Sequence, residues 1–286
     1  MGPIDKIARF FWKLSLQKIY HLIKTPSYKR KESRELNRIA GYPRYKRGKA
    51  ELPGMSIIFN DSASFLYQYR EIFTKCNYKF AASGPEPIIY DCGANIGLSV
   101  LYFKSIYPAS VIRAFEADPE IAQLLIGNIN ENKIQKVDVV NKAVWIEEGE
   151  IRFRKDGSDG GAISESDGSI TVSSVKLKSL LERESEIALL KLDIEGAETD
   201  VLVDCRNSIG HIEKIFIEYH SIPGKEQSLH LILEILKNAG FRYFIQPISE
   251  SKTPFLHFNE GKGMDLQLNI YSSNGSFKRQ NEDSIH

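Results

Sequence analysis

Apolar positions along this chain fall into two alternating patterns, short uninterrupted runs and longer stretches at helical spacing, and their order predicts an α/β fold. Met55 to Phe59, Ile88 to Tyr90, the run from Val111 that ends in Glu116, Val137 to Asn141 and Ile187 to Leu192 read as strands. So do Ile212 to Ile217, Phe241 to Ile248 and Leu266 to Ser272, while Glu150 to Arg154 alternates like a half-buried strand. Between them, Leu98 to Tyr107, Ile121 to Ile129, Ser174 to Glu184 and Leu229 to Leu236 have helical spacing, the last closed by Gly240 as a C-terminal cap. Strands separated by helices run parallel, because only a crossover of that length returns the chain to the same sheet edge.

Ahead of this core, Ile4, Ala8, Trp12, Leu16, Ile19 and Ile23 recur at helical spacing with Lys6, Lys13, Gln17 and Lys24 opposite. Residues 1–24 therefore read as a basic amphipathic helix, which either lies on an anionic membrane or packs on its own domain. Tyr28 to Lys49, punctuated by Gly41, Pro43 and Gly48, reads as a linker. The expected division is 1–50 for helix and linker, 51–273 for a catalytic domain with a cap over 51–87 and a core over 88–273, and 274–286 for a disordered tail. In the cap, Phe65, Leu66, Tyr69, Ile72 and Phe73 have helical spacing, and these aromatics with Tyr78 either pack or line an acceptor pocket. Residues 156–168, rich in Gly, Ser and Asp, read as a mobile loop or a hairpin tip.

The chemistry begins at Ile88 to Gly97, IIYDCGANIG, a strand that ends in Asp91 and turns through Gly93, Ala94, Asn95 and Gly97 into a helix. Such a loop is expected to present amides of a helix N-terminus at the carboxyl end of a parallel strand, which is a nucleotide or cofactor site. It lacks the G-x-G-x-x-G of dinucleotide binders. Its D-x-G-x-N-x-G spacing, with Asp91 to meet an ammonium, suits S-adenosylmethionine. Glu116 follows Asp91 by 25 residues, the length of one crossover, where a carboxylate accepts from both ribose hydroxyls. Asp118 and Pro119 then cap and open the next helix. A third crossover brings Asn141 and Ala143, with Ala117, towards an adenine ring.

IIYDCGANIG, AFEADP, NKAVW, LLKLDIEGAE and IFIEYH occur in that order, and together they resemble the FkbM-type branch of class I S-adenosylmethionine-dependent methyltransferases. The resemblance spans roughly Ile57 to Ser272. It implies a Rossmann-like, mostly parallel seven-stranded sheet with a closing antiparallel strand, behind the N-terminal helical and cap extension. It also implies methylation of a hydroxyl on a sugar, glycan or related natural product.

A second group of residues stands downstream. Asp193 ends one strand, Glu195, Gly196 and Glu198 follow in the loop and next helix, and Glu218, Tyr219 and His220 end the neighbouring strand. Adjacent parallel strands are about 4.8 Å apart, so these side chains can converge. Asp193, Glu195 and His220 are candidate general bases, and Asp193 also borders the cofactor. Asp193, Glu195, Glu198 and His220 alternatively suit a divalent cation of the magnesium or manganese type, or Glu198 caps its helix while His220 satisfies a buried hydrogen bond.

Charge narrows the partners. The net charge of +1 conceals 14 Lys and Arg against three acids in residues 1–50, leaving 24 against 34 in the remainder. An acidic catalytic domain argues against nucleic acid, while the small-molecule or glycan acceptor is what the resemblance implies; peripheral contact between residues 1–24 and anionic membrane is one of the two readings of the basic segment. Cys76, Cys92 and Cys205 are widely spaced and read as core thiols of a cytoplasmic protein. No apolar run approaches the roughly 20 residues of a membrane span. A nicotinamide-dependent oxidoreductase, which shares the strand-loop-helix start, and a noncatalytic membrane-surface adaptor remain the competing readings.

Overall fold

The computed structural model describes residues 27–154, 161–163, 169–248, 253, 255–256 and 264–275. The amphipathic helix over 1–24, most of the loop over 156–168 and the tail beyond 275 lie outside the described residues. The chain divides into two compact units, Met1–Leu66 and Tyr67–His286, so the division falls in the expected cap and not near residue 50.

In the first unit the stretch expected as a linker is structured. Ser27–Ala40 forms helix α1, and Gly48–Leu52 (β1) pairs antiparallel with Met55–Phe59 (β2). The segment between them is pinned by one buried acid. Asp61 accepts from Arg44 Nε at 2.7 and 2.9 Å, from the Tyr45 amide at 2.8 Å, and from the Ala63 and Ser64 amides that open helix α2 (Ser62–Tyr69). Burial opposes the Asp61 charge, but Arg44 and these amides outweigh it and bring its pKa down to about 2. Arg44 and Tyr45 had read as generic basic linker because their partner lies 16 or 17 positions away.

The second unit is built on seven strands, Ile88–Cys92 (β3), Val111–Phe115 (β4), Val137–Val140 (β5), Leu189–Leu192, Lys214–Ser221, Phe241–Pro247 and Leu266–Asn274. With the four short strands that intervene (Ala143–Trp145, β6; Gly149–Arg154, β7; Ala162–Ile163, β8; Ile170–Lys176, β9), the last four become β10 to β13. The sheet order is β12-β13-β11-β10-β3-β4-β5, with β13 the antiparallel member. This is the expected class I arrangement. From β3 the chain winds one way through β4 and β5 and later the other way through β10 and β11, so a crevice opens at the carboxyl ends of β3 and β10. Helices Leu98–Ile106 (α3), Pro119–Glu131 (α4), Leu177–Leu181 (α5), Glu198–Cys205 (α6) and Leu229–Asn238 (α7) complete the order.

Strands β3 and β10 are covered on both faces, which explains their unbroken apolar runs. Cys92, Leu190, Leu192, Val201, Ile215 and Ile217 share one core. β6 to β9 form a separate four-stranded sheet of order β6-β9-β7-β8. It corrects the helix expected over 174–184, since Ser174 and Val175 pair in β9 and helix begins only at Leu177. Glu218, Tyr219 and His220 form the carboxyl-terminal part of β11, which ends at Ser221. Cys92 and Cys205 are buried thiols, whereas Cys76 is exposed. Among the described residues no helix is long and apolar enough to cross a membrane.

Candidate functional site

The loop after β3 is shaped by backbone. Gly93 has φ +86°, and a Cβ there would lie 1.8 Å from the carbonyl oxygen of Asp193, so only glycine lets the ends of β3 and β10 meet. Their backbones are joined by the Asp193 amide, which donates to the Cys92 carbonyl at 3.1 Å. The amides of the loop itself, Gly93 to Gly97, are satisfied within the protein. The Gly93 and Ala94 amides both donate to the Phe115 carbonyl, Ile96 N to Asn95 Oδ1, Gly97 N to the Ala94 carbonyl, and Asn95 N to Glu116. The loop's contribution is a rigid, closely approachable backbone.

Asp91 is also placed differently. It is fully buried, with Oδ2 accepting from Ser99 Oγ at 2.5 Å and Oδ1 in an ion pair with Lys191 Nζ at 3.2 Å. No oxygen of Asp91 faces the crevice, so it braces the loop from beneath and is not disposed to receive a ligand ammonium.

Glu116 follows β4 and is half-buried. Its Oε2 accepts from Asn95 N and its Oε1 from Asp118 N, both at 2.9 Å. A carboxylate has about four lone-pair sites, two on each oxygen. One site on each oxygen is therefore left, which is the pattern a vicinal diol requires. Burial raises the Glu116 pKa from 4.5 to about 7, against the pull of the two amides. Asn141 Nδ2 donates to the carbonyls of Glu116 and Ala117 at 2.8 and 3.2 Å and fixes that turn. Ala143 and Ala117 pack with Phe153 and Val172, so neither presents a side chain to a ligand.

Lys191 is the residue the sequence reading passed over. It is the single charged residue in the apolar run Leu189–Leu192, and register sets it beside Asp91. Nζ donates to the Gly93 carbonyl at 2.8 Å and lies 3.2 Å from carboxylate oxygens of both Asp91 and Asp193. Burial works against the charge, but Asp193 and Asp91 outweigh it and hold the ammonium well above the ordinary lysine range. A lone lysine in a buried strand was the available signal, because such a charge persists only when paired.

Asp193, Glu195 and His220 come together, with one ligand atom from each lying within 4.8 Å of the others. Glu198 stands behind them. Its carboxylate accepts from Ile194 N, from Gly196 N and from His220 Nδ1 at 3.0 Å, so it sets the loop and the imidazole and does not face the cluster. His220 Nε2 lies 3.5 Å from Glu195, 3.4 Å from Glu218 and 3.2 Å from the Gln267 amide nitrogen, which also donates to Glu218 at 2.6 Å. Burial disfavours the imidazolium, but Glu198 and the other acids outweigh it and raise the His220 pKa. The Asp193 pKa is raised by burial and by Glu218, and that of Glu195 by burial. Glu195 takes a left-handed φ of 54°, uncommon outside glycine and frequent where a loop is held for function.

The model of the FkbM methyltransferase domain matches residues 91–243, more than half of the chain. The 31-O-demethyl-FK506 methyltransferase FkbM of Streptomyces tacrolimicus is 22% identical over 226 residues, which cover 66% of this chain and 86% of that protein. The 2-O-methyltransferase NoeI of Sinorhizobium fredii is 26% identical over 176 residues, 53% of this chain and 72% of that protein. Methyltransferase sdnD of Sordaria araneosa is 45% identical over 64 residues, 22% of this chain and only 25% of its own length.

Proposed function

The chain belongs to the FkbM methyltransferase family, of class I S-adenosylmethionine-dependent enzymes, and from that premise we propose that it methylates a hydroxyl oxygen of a sugar, glycan or related hydroxylated metabolite. Family membership sets aside the nicotinamide oxidoreductase. The observation that carries the cofactor assignment is Glu116, whose two remaining lone pairs suit the ribose hydroxyls. Gly93 to Gly97 would wrap the methionine portion, and the turn held by Asn141 would border the adenine. When bound, S-adenosylmethionine supplies an electrophilic methyl group on a sulfonium.

A neutral hydroxyl attacking that methyl loses its proton during or near the displacement, and a positioned base contributes typically about 10² to 10⁴-fold. Exposure decides between the candidates. The Asp193 side chain is 22% exposed and Glu195 18%, while that of His220 is fully buried with Nδ1 held by Glu198. Exposure leaves Asp193 and Glu195, and Asp193 is the base in this reading because Lys191 fixes its carboxylate, with His220 positioning Glu195 and Glu218. NoeI is a 2-O-methyltransferase and FkbM a 31-O-demethyl-FK506 methyltransferase, which supports a hydroxyl acceptor here.

A second reading rests on the same convergence. Asp193, Glu195 and His220 Nε2, with Glu198 orienting the ring through Nδ1, form a donor set suited to magnesium or manganese. Steady-state kinetics on Asp193→Asn and His220→Gln, with and without chelator, tests both. The base reading expects kcat to fall by about 10² to 10⁴-fold in Asp193→Asn, with S-adenosylmethionine affinity retained and no effect of chelator. If both variants fold, bind cofactor and turn over within about threefold of wild type, neither reading stands.

A further inference from the structure

Below Asp193 on the same sheet face, a groove of about 400 Å³ opens over β10, β11, β13 and β12. Register pairs Phe216 with Tyr271 and Tyr271 with Phe244, so one row of rings crosses three strands towards the sheet edge. Centroids in this row are 5.2 and 6.3 Å apart, and Tyr78 closes its inner end against Phe216 at 4.9 Å. At the outer end Phe244 is 66% exposed. Phe216 at the inner end is buried, so the accessible part of the row lies towards Phe244.

Charge distinguishes this groove from the rest of the unit. Lys79, Lys214 and Arg242 line it with no Asp or Glu among its described lining residues, although Lys214 Nζ is paired at 3.3 Å with the neighbouring Glu213. Ring orientation narrows the occupant further. Phe216 meets Tyr78 at 76° and Tyr271 at 68°, so the rings pack edge to face into an uneven floor. A flexible aliphatic chain fits such a corrugated floor. Lys214, at the basic end, stands four residues before Glu218 in β11, a distance of about 13 Å at roughly 3.3 Å per residue.

We propose that this groove binds an aliphatic chain bearing an anionic group, with the anion at the exposed Arg242, beside the Glu213-paired Lys214, and the chain along Tyr271 and Phe244. It forms the distal subsite for an amphiphilic acceptor whose hydroxyl end reaches Asp193, and only that last clause rests on the proposed methyl transfer.

Titration calorimetry of the full-length protein with dodecyl phosphate, dodecanoate and neutral dodecyl maltoside, each as monomer, tests it. Binding of either anionic probe at least tenfold tighter than the maltoside supports the groove, and the tighter anion identifies the headgroup. Phe244→Ser and Arg242→Glu, both at exposed positions, should each weaken that probe at least tenfold while S-adenosylmethionine affinity stays within twofold. Absence of anionic binding, equal binding of the maltoside, or variants that bind like wild type would overturn it. So would a sedimentation result in which Phe244→Ser breaks a dimer and no probe binds, since a second copy would then occupy the face. Failure of wild type to bind S-adenosylmethionine is a separate reading, which tells against the proposed function and not against the groove.

Discussion

Replacing Glu116 by Gln keeps shape and removes charge at the point where loop and ligand share one carboxylate. The two amide donors from Asn95 and Asp118 each hold one oxygen in wild type. Gln offers one carbonyl oxygen, and its NH₂ must face the other amide. Hydrogen bonds to a charged group are worth about 1.5 to 3 kcal/mol, so losing the carboxylate's contacts with the two ribose hydroxyls costs roughly 3 kcal/mol of binding, the loop amide being lost with or without ligand. At about 1.4 kcal/mol per tenfold, that is a Kd for S-adenosylmethionine weaker by roughly 100-fold. The wild type carries its own pH signature. With a pKa raised from 4.5 to about 7 in the folded protein, the carboxylate is present above pH 7 and lost as pH falls below it. Ligand binding that needs the carboxylate then weakens by about tenfold per pH unit below 7, reaching roughly 30-fold at pH 5.5. The sign for stability is opposite, since burial makes ionisation costly and that cost grows as pH rises from 4.5 to 7. Calorimetry from pH 5.5 to 8 reads the ligand effect, and the Glu116→Gln profile should be flat. A pH-independent wild type, or a variant within threefold of its affinity, would refute the ribose assignment.

Two further expectations concern the frame of the site. Lys191→Met leaves Asp91 and Asp193 without their shared cation, a loss of about 3 to 5 kcal/mol, or roughly 6 to 20 °C in Tm for a unit of this size. Adding Asp91→Asn should recover part of it, whereas a Tm within about 2 °C of wild type would deny the buried network. Gly93→Ala places a Cβ at 1.8 Å from the Asp193 carbonyl at a left-handed φ. It should abolish S-adenosylmethionine binding in calorimetry, and retained affinity would mean that the two strand ends do not meet as described.

The central sheet was legible because its strands and helices have distinct periods, and Glu116 because strand ends are where parallel sheets bind ligands. What escaped the sequence depended on partners far along the chain. The turn at Arg44 and Tyr45, between the helix and the strand of the expected linker, is held by Asp61, and the second sheet by pairing of β9 with β7 across a polar stretch. The role of Lys191 follows from its register with Asp91, 100 positions earlier. Asp91 itself was misread for the same reason, as its spacing matched a ligand contact while its side chain turned beneath the loop. The sequence set Glu198 beside His220, but only the geometry shows that Glu198 holds the Nδ1 side of the ring and stands outside the cluster of Asp193, Glu195 and His220.

The claim that methyl transfer to a hydroxyl occurs at the end of β10 is tested by one experiment. Full-length protein is incubated with S-adenosylmethionine carrying a labelled methyl group and a saccharide-rich extract, and the labelled product is identified by fragmentation mass spectrometry. The expected product is a methyl ether on an oxygen of a polyhydroxylated compound, formed by wild type and reduced at least 100-fold with Asp193→Asn. Label found on nitrogen or carbon, or formed equally by Asp193→Asn, would contradict it.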